Sequence, residues 1–248
     1  IYKYLSKKVN TIKHILTALT GYWFHKQSNL PVGADLFVDI ATKINYPSLN
    51  VLFDVGANTG QTRNWFRHHL PKATIYCFEP VQSTFQKLKA NAVNDQNCIL
   101  VNQALGDEAG TKTIRLFDDD MTVLNSLRDD VMNNSSGARE ETISVNTLDA
   151  FCKTRNISKI DLLKIDTEGF EINVLKGASE MLQSGKIAFV YCEVGFQNTN
   201  KRNTYLAELT EYLADKNYYF FGLYQLDYHD WKRGNGLGNA LFIHNSVF

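Results

Sequence analysis

Val51-Leu52-Phe53-Asp54-Val55-Gly56-Ala57-Asn58-Thr59-Gly60 is the stretch on which the fold of this chain turns. A short, mostly apolar run carries one acid near its end and breaks into a turn with glycines four apart. Such a run, bounded by turn residues, reads as a strand buried on both faces of a parallel sheet. A second apolar run, Thr74-Ile75-Tyr76-Cys77-Phe78, closes on Glu79-Pro80. A buried strand, a glycine turn and an acid at the tip of the next strand together make a nucleoside cradle. The carboxylate accepts the ribose diol, and the turn lets the backbone approach the ligand.

Outward from this core the pattern alternates. Strand 51–55 leads to a helix over 60–69, strand 74–78 to a helix over 81–93, and strand 98–102 follows. Runs at 111–117 and 141–146 have period-two character and predict a hairpin insertion. Helix 147–155, strand 160–165, helix 171–183, strand 187–193 and helix 203–215 resume the winding. Two closing strands, 218–224 and 239–244, have no helix between them and predict an antiparallel pair. The whole is an α/β fold, a doubly wound, mostly parallel sheet with helices on both faces.

Upstream, Leu5, Val9, Ile12, Ile15, Leu16, Leu19 and Trp23 recur at helical spacing, with Lys3, Lys7, Lys8 and Lys13 between them. This helix over 1–24 either packs its apolar face on the domain or lies at a membrane surface or oligomer contact. A short helix over 35–44 precedes the first strand. The division expected is an N-terminal helical extension, 1–45, and one domain, 46–248. Between the hairpin runs, 118–139 is polar and weakly periodic, either a lid or a plain solvated loop.

Lys+Arg and Asp+Glu balance at 26 each, which argues against nucleic acid as the main partner. Cys77, Cys98, Cys152 and Cys192 form no close pairs and no metal-ligand spacing, a pattern of free thiols in a reducing compartment. The expected location is cytoplasmic. No apolar stretch approaches the roughly 20 residues that span a bilayer.

Acids recur at the strand ends: Asp54, Glu79, Asp166 and Glu193. Singly, each reads as a helix cap, but in open parallel sheets ligands sit at these carboxyl ends. A nicotinamide dinucleotide calls for G-x-G-x-x-G, with bare backbone facing the diphosphate. Here Gly56-Ala57-Asn58-Thr59-Gly60-Gln61 places a side chain there, and no Gly-Lys-Ser/Thr follows to make a P-loop. A cofactor with a ribose and no phosphate fits better, and S-adenosylmethionine is the obvious one. Asp54 is then expected to face the cationic end of its methionine moiety.

Four ordered motifs and a closing one resemble the FkbM-type methyltransferases. They are Asp54-Val55-Gly56-Ala57-Asn58-Thr59-Gly60-Gln61, Phe78-Glu79-Pro80, Ala104-Leu105-Gly106-Asp107 and Leu163-Lys164-Ile165-Asp166-Thr167-Glu168-Gly169-Phe170-Glu171, with Asn239-Ala240-Leu241-Phe242 at the end. The resemblance covers about residues 45–245. It implies a class I methyltransferase, a Rossmann-like seven-stranded sheet with its last strand antiparallel. It also implies O-methylation of a hydroxyl on a sugar, glycan or polyketide-like product.

Gly56, Ala57, Asn58 and Gly60 are expected to shape the loop around the amino-acid part of the cofactor. Glu79, followed by Pro80, takes the ribose hydroxyls, and Gln103, Ala104 and Leu105 flank the adenine. Methyl transfer needs alignment and loosening of the acceptor's proton. Asp166 and Glu168, sharing a face if the backbone stays extended, are the candidates, with Glu193 on the adjacent strand. Such crowded carboxylates raise a pKa or take up a divalent cation such as Mg²⁺, although Glu193-Val194-Gly195-Phe196 lacks the Asp-Asn pair of catechol-type enzymes. Glu171 reads as a helix-dipole complement and Lys164 as a support for the carboxylates or a structural ion-pair partner. The aromatic stretch Tyr224–Trp231 with His229 reads as a sugar-binding wall or an ordinary turn, and His68 and His69 as helix-end residues. Two other functions stand beside methyl transfer: an NAD-dependent oxidoreductase and a non-catalytic cofactor-binding module.

Overall fold

The computed structural model describes residues 2–22, 26, 29–116, 139–198, 203–227 and 236–248. Its centre is a seven-stranded sheet built from β1 (Val51–Val55), β2 (Thr74–Phe78), β3 (Cys98–Val101), β7 (Ile160–Ile165), β8 (Ile187–Gly195), β9 (Tyr218–Asp227) and β10 (Leu237–His244). The order across the sheet is β3-β2-β1-β7-β8-β10-β9. All neighbours pair in parallel except β10, which runs antiparallel to both β8 and β9. This is the class I methyltransferase arrangement. The strand order reverses between β1 and β7, and the crevice at their carboxyl ends is where such sheets take ligands.

Strand alternation sorts the side chains onto two cores. Phe53 and Val55 of β1, Leu163 and Ile165 of β7 and Val190 of β8 enter one core, with Phe78, Phe151 and Leu175. Leu52, Leu162, Phe189 and Tyr191 face the other, against Phe66 of α3 (Gln61–His69). Asp54 and Lys164 share the parity of Leu52 and Leu162, so two charged residues enter an otherwise apolar row on the α3 side.

Helix α2 (Leu36–Thr42) begins at Asp35, whose carboxylate accepts from the Val38 amide. Its Leu36, Phe37 and Ile40 join the α3-side core, so this part of the N-terminal stretch is built into the domain. Asp39 is buried and accepts from the Gly33 amide and the Tyr224 hydroxyl, which pins the segment to β9. Helix α1 (Tyr2–Thr20) forms as the spacing predicts, yet Ile12, Ile15, Leu16 and Leu19 are exposed. Packing of its apolar face on the domain is therefore not seen among its described side chains. No described helix is long and apolar enough to cross a membrane.

Two elements depart from the sequence reading. The insertion is a three-stranded sheet, in which β4 (Ala104–Leu105) pairs in parallel with β6 (Arg139–Asn146) and β6 antiparallel with β5 (Gly110–Leu116). Two residues are too few to show an alternation. The single helix expected over 171–183 is two, α6 (Glu171–Lys176) and α7 (Ser179–Gln183). The break has a tertiary cause. A Cβ on Gly177 would lie 1.9 Å from the Gly106 carbonyl oxygen, and the Asp149 carboxylate of α5 (Leu148–Arg155) accepts from the Glu180 and Met181 amides. A side chain remote in sequence thus starts a second helix. The remaining helices are α4 (Gln82–Asn91) and α8 (Leu206–Ala214). Of the segment read as a lid or plain loop over 118–139, residues 118–138 lie outside the described residues, as do 228–231 of the aromatic stretch, His229 among them.

Candidate active site

The glycine turn is sewn to the end of β2. The amides of Gly56 and Ala57 both donate to the Phe78 carbonyl, at 3.1 and 2.9 Å. Gly56 has φ +79°, and a Cβ there would lie 1.8 Å from the Asp166 carbonyl oxygen. Only glycine lets β1 and the turn after β7 come this close. Glu79 then folds back over the turn: its Oε2 accepts from the Asn58 amide at 3.0 Å and its Oε1 from the Val81 amide at 2.9 Å. Asn102 secures this bend by donating to the carbonyls of Glu79 and Pro80. Burial pushes the Glu79 carboxyl up to about 7, against the opposing pull of the two amides. Each of its oxygens takes one backbone donor and retains acceptor capacity for a ligand hydroxyl.

A cavity of about 280 Å³ opens over these residues. Of the positions expected to bind cofactor, Gly56, Ala57, Asn58, Glu79, Pro80, Ala104 and Leu105 line it. Asp166 and Glu168 line it as well, with Lys164 beside them. Asp54, Gly60, Gln103 and Glu193 do not. Gly60 lies beneath the turn as the residue before α3. Gln103 turns toward the insertion, its amide donating to the Ser144 hydroxyl at 3.2 Å.

Asp54 corrects the sequence reading most clearly. It is fully buried and pairs with Lys164 Nζ at 3.3 Å, so it reaches the cavity only through that ammonium. The reason is register: Asp54 on β1 is the direct partner of Lys164 on β7, and Lys164 of Tyr191 on β8. Parallel neighbours on one face meet side by side. Burial raises the Asp54 carboxyl, and the Lys164 charge works against that rise. Lys164 Nζ also reaches Asp166 Oδ2 at 3.2 Å, and these two carboxylates keep the buried ammonium charged, its pKa above the usual lysine value despite burial.

Asp166, Glu168 and Glu193 come together, each offering an oxygen within 4.8 Å of the others. They do so without an extended backbone, since Glu168 has φ +53° in a tight turn. That turn is folded around Glu171, whose role the sequence reading missed. Glu171 is fully buried, and its Oε1 accepts from the Thr167 amide, the Thr167 hydroxyl and the Gly169 amide, at 2.9, 3.0 and 3.1 Å. Its Oε2 accepts from the Thr204 hydroxyl, while the neighbouring Asn203 amide donates to Glu193 Oε2 at 2.6 Å. The motif around Thr167-Glu168-Gly169 was the available signal, but an acid opening a helix looks the same whether it complements a dipole or organises a turn. Burial, then the charges of Asp166, Glu168 and Glu171, push Glu193 well above the usual carboxylate range. The cluster can share protons or meet a cation; Lys164 already supplies one, and nothing beyond the clustering points to a divalent ion.

Similarity to known proteins agrees with this geometry. The methyltransferase FkbM domain matches residues 54–220. The 31-O-demethyl-FK506 methyltransferase FkbM of Streptomyces tacrolimicus is 30% identical over 158 residues, covering 53% of this chain and 60% of that protein. The 2-O-methyltransferase NoeI of Sinorhizobium fredii is 28% identical, covering 59% of this chain and 64% of that protein. The hexuronic acid methyltransferase AglP of Haloferax volcanii is 27% identical, covering 58% and 56%. The matched part thus spans less than two thirds of each relative. The chain belongs to the FkbM methyltransferase domain family.

Proposed function

We propose that this chain is an S-adenosylmethionine-dependent O-methyltransferase acting on a hydroxyl of a sugar, glycan or related natural product. One observation carries the reading: a single cavity is lined both by the Glu79 carboxylate with the glycine turn and by Asp166 and Glu168. When bound, S-adenosylmethionine supplies a methyl group already activated by its sulfonium. Glu79 accepts the ribose hydroxyls, Ala104 and Leu105 flank the adenine, and the turn from Gly56 to Asn58 holds the amino-acid part. Asp54 holds Lys164, and Lys164 orients Asp166. Glu193 does not line this cavity, and burial with the charges of Asp166, Glu168 and Glu171 pushes its carboxyl well above the usual carboxylate range. Removal of the acceptor's proton falls to Asp166 or Glu168.

Titration with S-adenosylhomocysteine tests the cofactor; binding of a nicotinamide dinucleotide in its place would favour the oxidoreductase. Asp166→Asn should abolish methyl transfer from labelled cofactor, across a panel of glycosides and lipid-linked glycans, while sparing S-adenosylhomocysteine affinity. Persisting turnover removes Asp166 from the chemistry. A protein that binds cofactor and methylates nothing favours the binding module.

A further inference from the structure

A second cavity, of about 200 Å³, adjoins the first and shares Gln61, Thr62, Lys164 and Asp166 with it. Its other walls are Trp65, Tyr191, Gln225 and Asn239. These come from α3, β8, β9 and β10, so four elements converge on a space that the cofactor reading leaves unused. We propose that this cavity is the acceptor subsite and that it takes a neutral pyranose ring, an inference that rests on the methyltransferase reading above.

Three observations carry it. First, the shared residues put an occupant of this cavity against Asp166, where an acceptor hydroxyl must meet the methyl donor. Second, the walls are built. Trp65 packs on Phe37 of α2 at 4.9 Å between ring centroids and lies 6.2 Å from Tyr191. Gln225 Oε1 accepts from the Tyr191 hydroxyl at 3.2 Å and from the Asn239 amide at 3.3 Å. Gln225 has φ +48° at a bulge, where the pairing of β9 with β10 slips between Leu237 and Asn239. Bulges beside active sites re-aim side chains, and this one holds an amide at the cavity wall. Third, the lining has a definite chemistry. It offers an indole, a phenol, three amides and a hydroxyl, the mixed aromatic and hydrogen-bonding surface that suits a polyhydroxylated ring. Among the described residues the only cation lining it is Lys164, already matched by Asp54 and Asp166. A carboxylate or phosphate on the acceptor would meet Asp166 with no spare positive charge, which disfavours anionic rings.

The test uses the full chain loaded with S-adenosylhomocysteine and reads saturation-transfer NMR with methyl glucopyranoside, methyl fucopyranoside and methyl glucuronoside as probes. The neutral glycosides should receive saturation and the glucuronoside should not. Gln225→Ala and Asn239→Ala should each weaken neutral-glycoside binding by about 2–10-fold, the worth of one hydrogen bond. Trp65→Ala should weaken it further. Cofactor affinity should stay unchanged in all three. Because Trp65 also supports Phe37, the two amide variants decide the matter if Trp65→Ala does not fold. Preference for the glucuronoside overturns the neutral assignment. Binding that is absent, or whose affinity neither amide substitution changes, overturns the subsite. A wild-type chain that fails to bind S-adenosylhomocysteine overturns the methyltransferase reading itself and the acceptor role with it.

Discussion

The lining of the cavity is shaped by two different parts of the polypeptide. Around the glycine turn, main-chain groups do the shaping: amides of Gly56 and Ala57 on a carbonyl, and amides of Asn58 and Val81 on Glu79. Around the acids, side chains do it: Lys164 between Asp54 and Asp166, and Glu171 holding the turn while Thr204 holds Glu171. A backbone-built site depends on a few glycines and one acid. A site built by side chains depends on every partner in a buried charge network, and should fail more abruptly when one is lost.

Lys164→Met tests that contrast hardest. It leaves Asp54 buried without its counter-ion, and breaking such a pair costs on the order of 3–5 kcal/mol. Denaturant unfolding should show that loss, and adding Asp54→Asn should restore part of it. No recovery in the double variant would mean that Lys164 acts by packing. Gly56→Ala comes next, since it forces a Cβ onto the Asp166 carbonyl at positive φ. A loss of about 3 kcal/mol would lower the melting temperature by roughly 6–12 °C for a chain of this size. An unshifted melt would show that the turn yields more easily than its contacts imply.

Glu79 sharpens the comparison through pH. Its carboxyl is pushed up to about 7, and protonation replaces acceptor capacity with an O–H donor, which weakens the proposed pairing with two ribose hydroxyls. S-adenosylhomocysteine affinity, measured by calorimetry, should therefore fall as pH drops below about 7, and Glu79→Gln should flatten that dependence. Stability of the empty chain moves the other way. A folded value raised above the ordinary 4.5 gives a contribution that is full below 4.5 and lost as pH rises through about 7. The smallest effect is expected for Gln103→Ala, whose side chain leaves the cavity for Ser144. Cofactor affinity should change by less than about twofold, within the range of surface substitutions; a larger loss would restore Gln103 to the adenine wall.

Legibility in the sequence follows the same division. β1, β2 and β7 were readable to the residue because each is a short, mostly apolar run between turn residues. The glycine turn and Glu79 were readable because a local spacing encodes them. Asp54 is visible as a strand-end acid but its pairing with Lys164 is not, because that partner lies 110 residues downstream and only the β1–β7 register brings them together. Glu171 was dismissed for the same reason: its partner Thr204 lies beyond another strand. The split of α6 from α7 likewise depends on Asp149, a residue no helical periodicity includes. Chemistry written in consecutive residues is visible in one sequence, whereas chemistry written across strands waits for the register.

The position of β10 carries a consequence for the birth of the molecule. Among the described strands it is the last in sequence, yet it lies inside the sheet, between β8 and β9. During synthesis, β8 emerges with one flank open, and β9 has nothing on the sheet to pair with until Leu237–His244 has left the ribosome. An apolar strand with an open edge invites pairing with other chains. That edge therefore stays open until Leu237–His244 has been made, and Tyr191, Gln225 and Asn239 become neighbours only when β10 inserts.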